Sequence, residues 1–150
     1  MFKKVLLPTD FSEKSNHAFE AVKQLKAAGL EKLIVMNCID VREVETMTEM
    51  EGFSSLKYVE LREEIRKNLR RKAGIKMAKV TKASIDFGID TEERLVEGIP
   101  FKQILRIAEK DEVDMIVLGS TGKGLVKELF LGSTSEKVVR EAKCPVLVVK

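Results

Sequence analysis

The sequence predicts an α/β domain whose parallel sheet lies between two layers of helices, and three observations carry that prediction. Four short apolar runs, Val5-Leu6-Leu7, Leu33-Ile34-Val35-Met36, Met115-Ile116-Val117-Leu118 and Val146-Leu147-Val148-Val149, are bounded by charge, glycine or proline. Continuous runs without alternation suit strands covered on both faces. Between them lie stretches whose apolar residues recur every three or four positions, the helical period. No hairpin signal joins neighbouring runs, so the connections read as right-handed crossovers between parallel strands.

The elements follow in order. After the first run, Phe11-Ser12-Glu13 opens a helix that carries Ala18, Phe19, Val22 and Leu25 on one face and stops near Gly29, a usual C-terminal glycine. After the second run, residues 40–55 (DVREVETMTEMEGFSS) break the pattern with acidic residues and scattered Met and Phe. We read this segment as a variable, mobile connection over a site or a partner surface. A longer helix then spaces Leu61, Ile65, Leu69, Ala73, Met77 and Val80 along one inward stripe. The more polar stretch from Thr91 to Val96 fits an edge strand. Pro100 starts a third helix with Ile104, Leu105 and Ala108 inward, and Ser133 opens a fourth before the last strand. The result is a single Rossmann-like domain over residues 1–150, large enough to bury its own core.

Composition narrows the function classes. Apolar residues make up 44% and charged residues 34%, and 27 basic against 24 acidic side chains leave a formal charge of +3, a balance that neither demands nor excludes a nucleic acid. No apolar run approaches the roughly 20 residues that span a bilayer, and the start MFKKVLLPTD has no signal-peptide core. The expectation is a soluble, cytoplasmic protein. Cys38 and Cys144 form no C-x-x-C motif, which suits a reducing compartment. Gln24 and Gln103 are the only glutamines, and Lys, Glu and Arg abound, a bias that points to a thermophilic source. His17, the only histidine, sits early in the first helix and reads as a surface or packing residue. No His/Cys/carboxylate cluster forms a metal site, and no set of residues forms a catalytic constellation.

Chemistry concentrates where Gly-Ser-Thr occurs twice, at Gly119 directly after a strand and at Gly132 directly before a helix. In doubly wound sheets ligands bind beyond the carboxyl ends of the strands, so both corners face one crevice. At the second corner Ser133, Thr134 and Ser135 offer hydroxyls and amides at a helix N-terminus, where an anion fits. Ser133-x-x-Glu136 also reads as a capping box, in which Ser133 serves only its own helix. The first corner, Gly119-Ser120-Thr121-Gly122-Lys123-Gly124, can curl amides round phosphate, with Lys123 either neutralising it or merely solvated. It is not a Walker A loop, which requires glycine in place of Val117 and Ser or Thr in place of Gly124. Nor is it the dinucleotide fingerprint, because Lys127 occupies the last glycine position.

The spacing Gly119-x-x-Gly122, nine residues, then Gly132-Ser133 resembles the G-x2-G-x9-G-[ST] nucleotide loop of the universal stress protein family. The segments KKVLLPTDFSEKSNHAF, VEGIPFKQILRIAEKDEVDMIVLGSTG and GSTSEKVVREAKCPVLVV extend the likeness to both ends of the chain. The resemblance implies strand order 3-2-1-4-5 and an ATP site in which Pro8, Thr9 and Asp10 follow the first strand. It places Asp10 near the adenine and ribose and the backbone of Cys38 against the adenine. It assigns Gly119, Ser120, Gly122, Gly132, Ser133, Thr134 and Ser135 to the ribose and phosphates. Asp10 also reads as an ordinary N-cap of the first helix, and Cys38 as a small buried side chain. Two positions depart from the family pattern: Asn37 stands where many members carry histidine, and Thr121 where histidine or arginine is frequent.

The function expected from these readings is an ATP-binding sensor or regulatory module whose 40–55 segment responds to occupancy. Mg or Mn would accompany ATP, held mainly by its phosphates, with slow ATP hydrolysis as the upper limit of activity. A homodimer is expected through the apolar edge from Pro145 to Val149. The alternative is a protein or nucleic acid interaction module of the same fold that does not use ATP, resting on the basic stretch from Arg66 to Lys82. Those charges equally form the solvated face of the long helix.

Overall fold

In the computed structural model the apolar runs become strands β1 (Lys4–Pro8), β2 (Lys32–Asp40), β4 (Met115–Gly119) and β5 (Val146–Val149), and the polar stretch becomes β3 (Asp90–Gly98). The structure describes residues 2–50, 55–120 and 131–150. All pairings are parallel, in the order β3-β2-β1-β4-β5. The helices are α1 (Glu13–Leu25), α2 (Val41–Glu49), α3 (Ser55–Asp86), α4 (Pro100–Lys110) and α5 (Ser133–Glu141). No helix among the described residues is long and apolar enough to cross a membrane.

Strand pleating sends alternate residues to opposite faces, and here both faces are apolar. On one, Val5, Leu7, Leu33, Val35 and Val117 pack against Ala18 and Val22 of α1 and Met77 of α3. On the other, Leu6, Ile34, Ile116 and Leu118 pack against Ile104 and Ile107 of α4 and Val138 of α5. Val5, Leu6 and Leu7 are fully buried, each worth about 1.5–3 kcal/mol relative to exposure. At the amino ends of β1 and β4, Asp114 ties the two strands together: its carboxylate accepts from the amides of Lys3 and Lys4, both at 2.8 Å.

Local chemistry explains the helix ends. The Ser12 hydroxyl caps α1 by accepting from the amide of Ser15. Gly29, at φ +99°, lets the chain reverse after α1 so that the amide of Leu30 reaches the carbonyl of Leu25. Pro100 occupies the first turn of α4, where its missing N–H costs nothing.

The 40–55 segment differs from the connection read in the sequence. Residues Val41–Glu49 form α2, started by Asp40, whose carboxylate accepts from the amide of Arg42 at 3.0 Å. Val44 and Thr48, one turn apart, are buried, and Val44 joins Ile39 and Ala73 in a small third core. Residues 51–54 lie outside the described residues. The long helix α3 also extends beyond its predicted stripe at both ends. Cys38 lies towards the C-terminal end of β2 and Cys144 just before β5, at opposite ends of the sheet, and both are free.

Candidate functional site

The carboxyl ends of β1, β2 and β4 meet at one end of the sheet, where β1 lies between β2 and β4 and their crossovers diverge. This is the switch point at which open α/β sheets hold ligands. A cleft of about 420 Å³ opens there, floored by Pro8, Thr9, Met36, Asn37, Cys38, Leu118 and Gly119 and bounded on one side by Gly132 to Ser135.

The two Gly-Ser-Thr corners clasp each other. The amide of Gly132 donates to the carbonyl of Ser120 at 2.8 Å, and the hydroxyl of Ser135 donates to the carbonyl of Gly119 at 2.9 Å. The amide of Ser120 in turn donates to the carbonyl of Val149 at 2.8 Å. These bonds occupy the polar backbone of Ser120, which is buried and does not line the cleft. Gly119 is required by packing: a Cβ there would lie 2.7 Å from the carbonyl carbon of Lys14 and 2.8 Å from its oxygen, so no larger residue lets α1 approach β4.

The capping box read at Ser133 does not form. Gly132 is the N-cap of α5, Ser133 lies inside the helix, and no side chain caps the terminus. A helix start leaves its first amides without intrahelical acceptors, and here the residues that carry them line the cleft. The positive end of the helix dipole therefore faces the cleft.

Across the cleft the turn after β1 is tightly held. The buried Thr9 donates its amide to the carbonyl of Met36 at 2.8 Å, and its hydroxyl accepts from the amide of Phe11 at 3.0 Å. Phe11 is thereby fixed at φ +63°, a conformation that costs a bulky residue of order 1–3 kcal/mol and clusters at functional sites. Asp10 is not the cap of α1; its carboxylate accepts from the amide of Ser12 at 3.0 Å and the hydroxyl of Ser15 at 2.7 Å, bracing the residue that is. Asn37, 7% exposed, donates its side-chain amide to the carbonyl of Thr9 at 2.8 Å.

Burial, and next the charge of Asp40, push the Cys38 thiol up to about 12, so it stays protonated and a poor nucleophile at neutral pH. Burial works to raise the Asp40 pKa, but hydrogen bonds from Arg42 outweigh it and hold the carboxyl below its ordinary value. Both Asp40 oxygens meet the Arg42 guanidinium, at 2.9 and 2.6 Å. The carboxylate is committed to α2 and its arginine rather than to a metal. No group of three or more His, Cys, Asp or Glu residues among the described residues is placed to hold one.

Of the residues predicted for the site, Pro8, Thr9, Asp10, Cys38, Gly119, Gly132, Ser133, Thr134 and Ser135 line the cleft together. Ser120 stands behind it, and Gly122 and Lys123 lie outside the described residues. His17 is exposed on α1. Sequence reasoning missed the far wall, formed by Leu69, Lys72, Ala73 and Lys76 of α3 and by Glu43 of α2. The Lys76 ammonium lies 5.7 Å from the centre of the Phe11 ring, a cation–π contact that covers the strained residue. The only signal for this wall was that Lys72 and Lys76 flank the stripe residues Leu69 and Ala73.

Comparison with known proteins places this geometry in context. Residues 1–150 match the sequence model of the Universal stress protein family. Universal stress protein MJ0577 of Methanocaldococcus jannaschii is 38% identical over all of this chain and 96% of its own length. The solved MJ0577 structure superposes with a TM-score of 0.88 at 39% identity, again covering all of this chain and 96% of that one. Two more distant structures share the fold. A universal stress protein in complex with cAMP has TM-score 0.69 at 23% identity, covering 99% of this chain and 96% of that one. One from Archaeoglobus fulgidus in complex with dAMP has TM-score 0.62 at 16% identity, covering 100% and 98%.

Proposed function

Because this chain belongs to the universal stress protein family, we propose that its cleft binds an adenine nucleotide, ATP in preference, and that the protein acts as a regulatory or sensor module rather than a metabolic enzyme. The observation that carries the reading is the uncapped N-terminus of α5 facing a cleft at the sheet's switch point. Phosphates fit that terminus, where amides and the helix dipole favour negative charge. The sugar and base then extend towards the ends of β1 and β2, over Asp10 and the backbone of Cys38. Relatives of the same fold described with cAMP and dAMP support this choice of ligand. Mg or Mn accompanies the phosphates, held mainly by them and by water.

Two carboxylates of the cleft are already engaged, Asp10 by Ser12 and Ser15 and Asp40 by Arg42, and in this reading ATP hydrolysis is slow at most. Occupancy is signalled through α2 and α3, whose residues Glu43, Lys72 and Lys76 face the ligand space. The module works in the cytoplasm as a homodimer paired through β5. The rival reading, a nucleic acid surface on α3, is weakened because Arg66 and Arg70 are both engaged by Glu97.

The test is the guanidinium midpoint of nucleotide-stripped protein with and without Mg-ATP, with GTP as control. Ligand at 100 times its dissociation constant adds about 2.7 kcal/mol of stability. An ATP-selective rise is expected; no shift at millimolar ATP overturns the proposal.

A further inference from the structure

Asn37 is a buried amide whose orientation is decided by its neighbour. The carbonyl of Thr9 can only accept, so the group 2.8 Å from it must be the Asn37 NH2. Thr9 is itself held by its amide bond to Met36 and by the turn bond from Phe11, which makes the anchor rigid. With Nδ2 tied back, Oδ1 is set at the other end of a planar group on a residue that lines the cleft. No described residue donates a hydrogen bond to Oδ1, although the side chain is more than nine-tenths buried. Oδ1 is not among the buried side-chain atoms left without a partner, so it keeps an open side, and the space that Asn37 lines is the ligand cleft.

We propose that Asn37 is a specificity-determining residue of the cleft: its Oδ1 accepts a hydrogen bond from the exocyclic amine of the bound base. The inference rests on the adenine-nucleotide reading and adds the group by which the base is chosen. The position fits. Phosphates at the N-terminus of α5 leave the base at the ends of β1 and β2, where Asn37 sits between Met36 and Cys38. An amide that presents both an acceptor and a remaining N–H donor also complements the amine and adjacent ring nitrogen of adenine, the pairing asparagine makes with this base elsewhere. A base with a carbonyl in place of the amine sets acceptor against acceptor, and a purine without the amine leaves Oδ1 unsatisfied.

The experiment measures dissociation constants by calorimetry for ATP and for purine riboside triphosphate, which lacks only the amine, with wild-type protein and Asn37→Leu. Wild type is expected to favour ATP by about tenfold, the worth of one hydrogen bond in a partly dry site. In Asn37→Leu the two nucleotides are expected to bind within about twofold of each other. Should Asn37→Leu not fold, Asn37→Ala supplies the same ratio. A wild-type protein without preference, or a variant that keeps the full preference, overturns the role of Asn37 while leaving nucleotide binding intact. Binding of neither nucleotide by wild type overturns the adenine-nucleotide reading itself, and the inference with it.

Discussion

The two edges of the sheet are built on opposite plans. β3 is nine residues long and pairs with β2 from end to end. Several of its side chains form ion pairs: Glu97 meets Arg66 at 2.6 Å and Arg70 at 3.1 Å, Glu92 meets Lys32 at 3.0 Å and also pairs with Arg94, and Arg94 reaches Asp111 at 3.5 Å. β5 has four residues, Val-Leu-Val-Val, with no charge among them, and Leu147 is 38% exposed. Charges on an edge discourage further strand pairing, and an apolar edge invites it. One fold thus carries a closed border and an open one, and the open one is the edge at which the proposed dimer would pair.

The largest effect is expected from closing the open edge. Leu147→Lys places a charge on β5, at a side chain that is 38% exposed, and should convert the proposed dimer to a monomer. Sedimentation equilibrium checks this, and an unchanged mass would remove β5 from the interface. Guanidinium unfolding of the monomer would then show whether the subunit stands alone.

Weakening the closed edge should do less. Burial tends to raise the pKa of Glu97, but hydrogen bonds and charge from Arg66, then Arg70, outweigh it and hold the carboxyl below its ordinary 4.5. A lowered folded-state pKa stabilises above the unfolded value and ceases to do so as pH falls through the folded one. Glu97→Gln should therefore lower stability at pH 7 by up to about 1 kcal/mol, with the same oligomeric mass. The gap from wild type should shrink as pH is taken below 4.5. A gap that is constant with pH would mean that packing, not charge, holds β3.

The smallest effect belongs to Glu92→Gln. The hydrogen bond from Lys32 is the first cause of its lowered pKa, but both partners are more than a third exposed. Its loss should cost no more than a few tenths of a kcal/mol and vanish at high salt. A change in sedimentation mass for this variant would show that edge charge, more than the ion pairs inside it, keeps β3 from pairing.

The sheet was legible in the sequence because its signal is local. Each central strand is an unbroken apolar run, and even the polar β3 was placed at an edge by its composition. The helix α2 was not legible, because Asp40 looks like one more linker acid until its carboxylate is seen on the amide of Arg42. The Ser133 box failed for a related reason: Ser-x-x-Glu is necessary for that motif, but the chain starts α5 one residue earlier, at Gly132. The near walls of the cleft could be read from glycine spacing and family likeness. The α3 wall and the orientation of Asn37 could not, since both depend on contacts between segments about 30 residues or more apart in sequence.

The position of β1 has a temporal side. It is the first strand made, yet it belongs in the middle, between β2 and β4. As the chain leaves the ribosome, β2 and β3 can join it by residue 98, but Val5 and Leu6 must wait for their partners Met115 and Ile116. At ordinary synthesis rates that interval lasts roughly one to four seconds. For that time a strand destined for the middle of the sheet is an outer one, and the amides of Lys3 and Lys4 lack the carboxylate of Asp114. The nascent chain thus has its own open border, on a strand whose Val5, Leu6 and Leu7 the finished protein buries completely.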